Sequence, residues 1–342
     1  MNKKLLSVAM AAALGVPAGS AMALDGAKGS ALEIYGRFQV ELSNVSSDSY
    51  NYDTDPRYMN DDGMGRIGFF ATEKLGNGMV AFGRFEEKFN TNNGDQWSAR
   101  DRYVGIKGGW GTFLAGRHGS PYKITGGVKA DPFVATTMEA RNGGGMSSGA
   151  FGHTSFASDI LAYASPNWNG FSFIVAVNPE NSDVKGDAAG YWSAGAQYKN
   201  GPIWVWGAYS DQGGAYGGSW WDEAKAKRWK LGAKGTMGNH SLTIQYEDAN
   251  GYSEKFGGPT PISNGYTGSG ATTTIDANDA QFLWIAYIFK AGNNTAMLSY
   301  GKEDYDSDYT SSGDINTWTI AARHNFSKTF SVFGGWKRQD LD

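Results

Sequence analysis

Between Leu32 and Leu42 the chain reads LEIYGRFQVEL, and its two alternating sets of residues differ completely. Leu32, Ile34, Gly36, Phe38, Val40 and Leu42 make one set, and Glu33, Tyr35, Arg37, Gln39 and Glu41 the other. In a strand, where successive side chains point to opposite faces, one face would suit hydrocarbon and the other water. The alternation returns with varying contrast in segments of roughly ten residues, the length of a strand that crosses a bilayer. Strands are predicted over 31–43, 64–74, 78–90, 98–108, 111–118, 158–166, 170–178, 190–199, 202–210, 226–237, 239–248, 280–290, 294–303, 315–325 and 329–338. They read as one continuous array of about fifteen.

The connections alternate in kind. Minimal turns stand at 75–78, 108–111, 167–170, 199–202, 237–239 and 325–328, and between them lie polar excursions such as SSDSYNYDTDPRYMNDDG, SDQGGAYGGSWWDEAKA and the stretch 250–279. Short turns at one rim and long loops at the other are the pattern of a transmembrane β-barrel. Mean hydropathy is −0.44, and beyond the first residues no run approaches the roughly 20 apolar residues of a membrane helix. Glycine (49) and aromatics (14%) are plentiful and proline (9) is scarce, which suits strands and tight turns. No Pro-rich or Ser-rich linker divides the chain, so a single domain is expected despite the length.

The barrel settles which face of LEIYGRFQVEL is inside. In lipid every backbone N–H and C=O must be satisfied within the protein, and the only sheet that achieves this is a closed one. The apolar set therefore faces acyl chains and the polar set faces a lumen. Charged side chains cannot fill a dry core, and about sixteen strands leave an aqueous channel where eight would be plugged. Tyr163, Trp168, Phe171, Trp192, Tyr198, Tyr209, Trp229, Tyr246 and Trp336, near strand ends, fit interfacial girdles.

Residues 1–23, MNKKLLSVAMAAALGVPAGSAMA, have the form of a secretory signal peptide: two lysines, an apolar core too short to span, and a small-x-small cleavage site at Ala21–Ala23. That leader carries no acid, so its removal takes the formal net charge from −4 to −6, which gives no reason to expect nucleic acid as a partner. With no cysteine there is neither a disulfide framework nor a thiolate metal site. His118, His153, His240 and His324 are scattered, without HExxH spacing, and no GxSxG elbow occurs. No enzyme activity, cofactor or metal is expected.

Five segments, ALEIYGRFQVEL, GRIGFFATEKLGNGMVAFGRFE, RYVGIKGGWGTFLAGRHGSPY, ASPNWNGFSF and RHNFSKTFSVFGGWKR, resemble in that order the recurrent segments of the trimeric general porins of Gram-negative outer membranes. The resemblance implies an all-β, transmembrane antiparallel barrel of sixteen strands over residues 24–342, with a third extracellular loop folded into the lumen as an eyelet. It implies a homotrimer among outer-membrane lipid and lipopolysaccharide, passing small hydrophilic solutes and ions by passive diffusion. Wall cations are carried over to Arg37 of YGRF, Arg66 of GRIGF and Arg100, and a lumenal acid to Glu86, whose strand phase Arg84 shares.

The inward loop would be 119–157, which carries Asp131, Glu139 and Arg141, and the resemblance implies that Asp131 and Glu139 face the wall cations; its length and its mixed charge single the loop out on their own. Arg102 is taken with Arg100 as a wall cation, but both share a phase with Val104 and Ile106, so a bulge or a changed register is expected there. Arg117 is either lumenal or an anchor for the loop root. The basic side outweighs the acidic one, from which a mild anion preference follows.

Two departures from the family pattern stand out. Ala162 and Ala164 occupy positions where relatives often carry charge, so a less polar and wider wall is expected there. The chain stops at FGGWKRQDLD, one strand short of the even count of a closed antiparallel barrel, so either a last strand is missing or a strand elsewhere escapes the alternation count. The other function class compatible with the sequence is a substrate-specific channel, for sugars for example, in which Trp204, Trp206, Trp220 and Trp221 would line a path.

Overall fold

The structure is a computed structural model that describes residues 30–44, 57–60, 65–91, 97–147, 156–179, 191–211, 227–250, 255–257, 274–276, 279–306 and 313–341. The predicted signal peptide, His153, Trp220, Trp221 and much of the long loops lie outside the described residues. The strands are β1 (Ser30–Arg37), β2 (Glu41–Asn44), β3 (Arg57–Asn60), β4 (Gly65–Gly76), β5 (Met79–Phe89), β6 (Ser98–Gly108), β7 (Gly111–Gly119), β8 (Phe156–Ala164), β9 (Phe171–Val177) and β10 (Trp192–Asn200). There follow β11 (Ile203–Asp211), β12 (Lys227–Met237), β13 (His240–Asn250), β14 (Lys255–Gly257), β15 (Thr274–Asp276), β16 (Asp279–Ala291), β17 (Asn294–Asp306), β18 (Gly313–Asn325) and β19 (Ser331–Leu341).

Fifteen of these form one sheet in the order β1-β4-β5-β6-β7-β8-β9-β10-β11-β12-β13-β16-β17-β18-β19, while β2-β3 and β14-β15 are separate ribbons. Each strand pairs antiparallel with its neighbours, as alternation with short turns requires. The β4–β5 turn shows why the turns can be so short. Asn77 and Gly78 both take positive φ (50° and 74°), the geometry of the two-residue turns that match strand twist.

The faces are inverted relative to a water-soluble sheet. Ile34, Phe69, Phe85, Val104, Leu161, Leu231, Ile244, Leu298, Ile320 and Trp336 are exposed on the outside. Glu86, Arg228, Lys230, Gln245, Glu247, Glu303, Thr317 and Thr319 are buried on the inside. LEIYGRFQVEL keeps its alternation throughout, with Phe38, Val40 and Leu42 exposed and Gln39 and Glu41 buried. It is not one continuous strand, however: pairing with β4 stops at Arg37, and Glu41–Asn44 pairs with Arg57–Asn60 instead.

Between β7 and β8 the chain turns inward. Ser120 caps a single helical turn, α1 (Pro121–Ile124), accepting from the Lys123 N–H at 3.0 Å, and a 3-10 turn follows at Gly127–Lys129. Ala130, Phe133, Ala140 and Met146 then pack on Trp204, Trp206, Trp284, Ile288 and Met297 from the inner face of β11, β16 and β17. Full burial of Phe133 alone contributes about 1.5–3 kcal/mol to docking. Two glycines make the approach possible. At Gly126 (φ 69°) a Cβ would strike the Trp206 ring, and at Gly301 it would strike the backbone of Gly144.

The same segment touches both ends of the strand order. Thr137 donates from N and Oγ1 to Glu41 (3.0 and 2.8 Å), just beyond β1, and Lys337 of β19 donates to the carbonyls of Glu139 and Asn142 (3.0 and 2.9 Å). The sheet therefore curls around this inward loop, which touches the inner face from β9 through β13 and β16–β19 to β1.

Candidate channel lining

The inner face of β1 and β4–β6 carries a tight charged cluster. Glu86 accepts from Tyr35 Oη at 2.9 Å, from Arg84 Nη2 at 2.8 Å and from Arg100 Nε at 2.5 Å, and only 1% of it is exposed. Arg84 Nε also donates to Tyr35 Oη (2.5 Å) and lies 3.7 Å from Asp101. Arg66 is within electrostatic reach of Glu86, Arg84 and Arg100. The neighbouring Gly68 leaves the space that the Tyr35 ring fills. Thus Arg66, Arg84, Arg100 and Glu86, chosen from strand phase and motif, do converge.

Arg102 does not join them. The register of β5 against β6 shifts between Phe85 and Glu87, so Arg102 stands opposite Phe85 on the outer face. There it pairs with Glu87 (2.5 Å) and lies over the Phe85 ring, 5.1 Å from its centroid. The expectation that Arg102 lines the wall is corrected by this bulge, which moves Arg100 inward and Arg102 outward. The outward pair sits between the Ile34–Phe69–Phe85 level and an aromatic group of Phe38, Phe89 and Trp97.

Arg37 is on the inner face but is engaged with the loop. It bonds Gln39 and reaches the Ala135 carbonyl at 3.4 Å, and Gln39 donates to the same carbonyl at 2.6 Å. Arg117 takes the second of its two expected roles: it donates to Ser158 Oγ (2.7 Å) and the Phe156 carbonyl (3.4 Å), tying the loop root to β8. Phe156 gathers further cations, with Arg100 Cζ 4.9 Å and Lys123 Nζ 4.1 Å from its ring centroid.

The loop carboxylates turn inward on their own backbone. Asp131 accepts from Phe133 N (2.7 Å) and Ala140 N (2.9 Å), and burial pushes its carboxyl up to about 6 against those two donors. Glu139 accepts from Ala135 N (2.5 Å) and from Arg141 Nη2 (2.9 Å). Both acids brace the loop where a facing row of acids was expected. Ala162 lies in an apolar patch with Leu114, Ile160, Ala176 and Tyr191, in line with the less polar wall expected at β8.

Motif reading did not single out Lys123, Tyr122 or Glu247. Glu247 accepts from Tyr122 Oη (2.6 Å) and from Ser147 N (3.3 Å), tying two separate parts of the loop to β13. Trp204 and Trp206 are on the inner face, as a sugar path requires, but the loop covers them to within a few per cent of full burial.

A family model described as Gram-negative porin matches residues 7–342. Among curated proteins, the chain is 27% identical over 298 residues to the major outer membrane protein P.IB of Neisseria gonorrhoeae, covering 79% of this chain and 77% of that protein. It is 22% identical to a monosaccharide porin of a Halomonas species over 100% of this chain and 80% of the relative. Among solved structures, the anion-selective porin of Comamonas acidovorans shares the fold with a TM-score of 0.71 at 20% identity, covering 91% of this chain and 89% of that one.

Proposed function

The chain belongs to the Gram-negative porin family and forms a transmembrane antiparallel β-barrel channel of the outer membrane, and from that footing we propose that it passes small hydrophilic solutes and ions by diffusion with a preference for anions. Solutes pass between the inward loop and the wall of β4–β7. No covalent step or cofactor is involved. The observation that carries the preference is the disposition of Asp131 and Glu139, whose oxygens are taken up within the loop. Arg66, Arg84 and Arg100 on the wall and Lys123 on the loop then outnumber Glu86 and Asp101 along the passage, Arg141 and Glu139 cancelling as a pair. A narrow passage between low-dielectric walls focuses such a surplus.

Arg66→Gln combined with Lys123→Gln removes one cation from each side. Under a salt gradient across a planar bilayer, the anion-to-cation permeability ratio of the double variant is expected to fall roughly twofold or more. An unchanged ratio would sink the assignment of these groups. Current that saturates with salt and is blocked by a monosaccharide would move the reading to a specific sugar channel, the class that the Halomonas relative's name carries.

Three copies assembling through the outer face around Glu87 and Arg102 complete the proposal. A lone charge facing hydrocarbon costs about 2–4 kcal/mol at mid-bilayer and less toward the interfaces, so an outward ion pair is better placed against protein than against lipid. Arg102→Ala is expected to lower the temperature at which the assembly dissociates in detergent, read as monomer released on native gels. Equal heat resistance of the variant assembly would place the contact face elsewhere.

A further inference from the structure

A second basic surface lies on the far side of the inward loop, toward the rim of short turns. Lys199, Lys234, Lys290 and Arg323 sit near the ends of β10, β12, β16 and β18, one to three residues before the last residue of each strand, and all take the inward phase. Lys129 of the loop's 3-10 turn joins them. They form one electrostatic group: the Lys199 charge acts on Lys129, Lys234 and Lys290, that of Lys290 on Lys234, and that of Arg323 on Lys290.

Their backing is aromatic. Lys199 Nζ lies 4.6 Å from the centroid of the Trp204 ring, which packs against Trp206 at 4.7 Å with the two rings tilted by 51°. The Arg323 guanidinium is held between Phe133 of the loop (5.1 Å) and Phe333 of β19 (5.7 Å). Its Nε is buried without a hydrogen-bond partner. Two acids act on this group, Asp131 on Lys234 and Arg323, and Glu41 on Arg323. Both are already engaged with loop backbone or hydroxyl donors. The other acids of this wall, Glu247 and Glu303, lie toward the long-loop half and accept from the loop.

We propose that this crescent is a holding site for multivalent anions on the short-turn side of the loop, distinct from the Glu86 cluster and resting on the channel reading above. A monovalent ion interacts with one cation at a time and moves on. An anion with two or more charges can bridge neighbouring lysines while the planar fork of Arg323, fixed between two rings, offers paired donors to phosphate or carboxylate oxygens. The apolar backing keeps the local dielectric low and strengthens each contact.

The test is current through single channels in potassium chloride, with inorganic pyrophosphate or citrate added to one side at a time. Brief blocks are expected at a concentration roughly tenfold lower from the short-turn side than from the long-loop side. Lys199→Gln, Lys234→Gln and Arg323→Gln together are expected to raise that concentration roughly tenfold and abolish the sidedness, with Lys234→Gln alone giving a partial effect in a milder variant. Block by pyrophosphate alone assigns phosphates as the class, and block by citrate alone assigns polycarboxylates. Open channels with symmetric block, or sided block that the variants leave intact, overturn this inference while leaving the channel standing. Absence of channels overturns the channel reading and this inference with it.

Discussion

Glu86→Gln is expected to destabilise the barrel by about 3–5 kcal/mol and, in the channels that do form, to raise the anion preference. Glu86 is buried and receives Tyr35, Arg84 and Arg100, with Arg66 close by. Glutamine preserves the size of the side chain and one acceptor oxygen but removes the charge that offsets three guanidinium groups. Repulsion among these groups is then opposed only by Asp101 and whatever water the lumen supplies. The loss is expected toward the lower end of that range because Arg84 and Arg100 are part exposed. Heat-induced unfolding in detergent reads the stability, and reversal potential under a salt gradient reads the selectivity. A variant with unaltered melting and an unaltered permeability ratio would show that Glu86 does not balance the cluster.

Asp131→Ala is expected to loosen the loop. Its carboxylate is the acceptor for two buried backbone donors, Phe133 N and Ala140 N, and each orphaned group costs about 1–3 kcal/mol. Ala140, Phe133 and Met146 are in the apolar patch that docks the loop, so their release frees the segment from β11, β16 and β17. Single-channel conductance should rise and become noisier. Asp131→Asn, which retains one acceptor, should fall between. Quiet channels of unchanged conductance in Asp131→Ala would mean that the loop is held without these bonds.

The wild type should show a weaker form of the same behaviour with pH. The docked carboxyl titrates near 6, above the usual carboxylate range, so docking gains from its protonated form at low pH. That gain is complete below about pH 4 and is given back as pH rises through 6.

The strands were legible because period 2 is a strong signal when one face meets lipid and the other water. All fifteen sheet strands overlap the segments predicted from alternation, and the turns fall where Gly and Asn cluster. Phase also brought Arg66, Arg84 and Glu86 together. What alternation cannot carry is a place where the period itself slips. The bulge between Phe85 and Glu87 reverses the sides of the arginines around it, and its position decides which of Arg100 and Arg102 faces the lumen. The break after Arg37 was hidden for the opposite reason, since the alternation continues while the partner changes.

The roles of the loop acids depend on partners that no local pattern names. Backbone N–H groups are the same at every residue, so nothing in DPFVATTMEAR marks Asp131 as the acceptor for Phe133 and Ala140. Trp204, Trp206 and Trp284 have the inward phase expected of pore-lining aromatics, and only the fold reveals that the loop lies over them. Lys230 and Lys234, by contrast, share one phase in KRWKLGAKG and were available to a reader of alternation.

The clasp that Arg37, Gln39 and Glu41 make on Ala135 and Thr137 has a mechanical meaning. Arg117 and Ser158 fix the root of the loop at β7 and β8, and the clasp fixes its far end beside β1. A beam clamped at both ends deflects far less under the same load than a cantilever, so thermal forces move the span little and its calibre stays constant. The two abutments are far apart in the chain, and neither belongs to the span. Grafting the loop alone into another barrel would therefore transfer its charges without its stiffness.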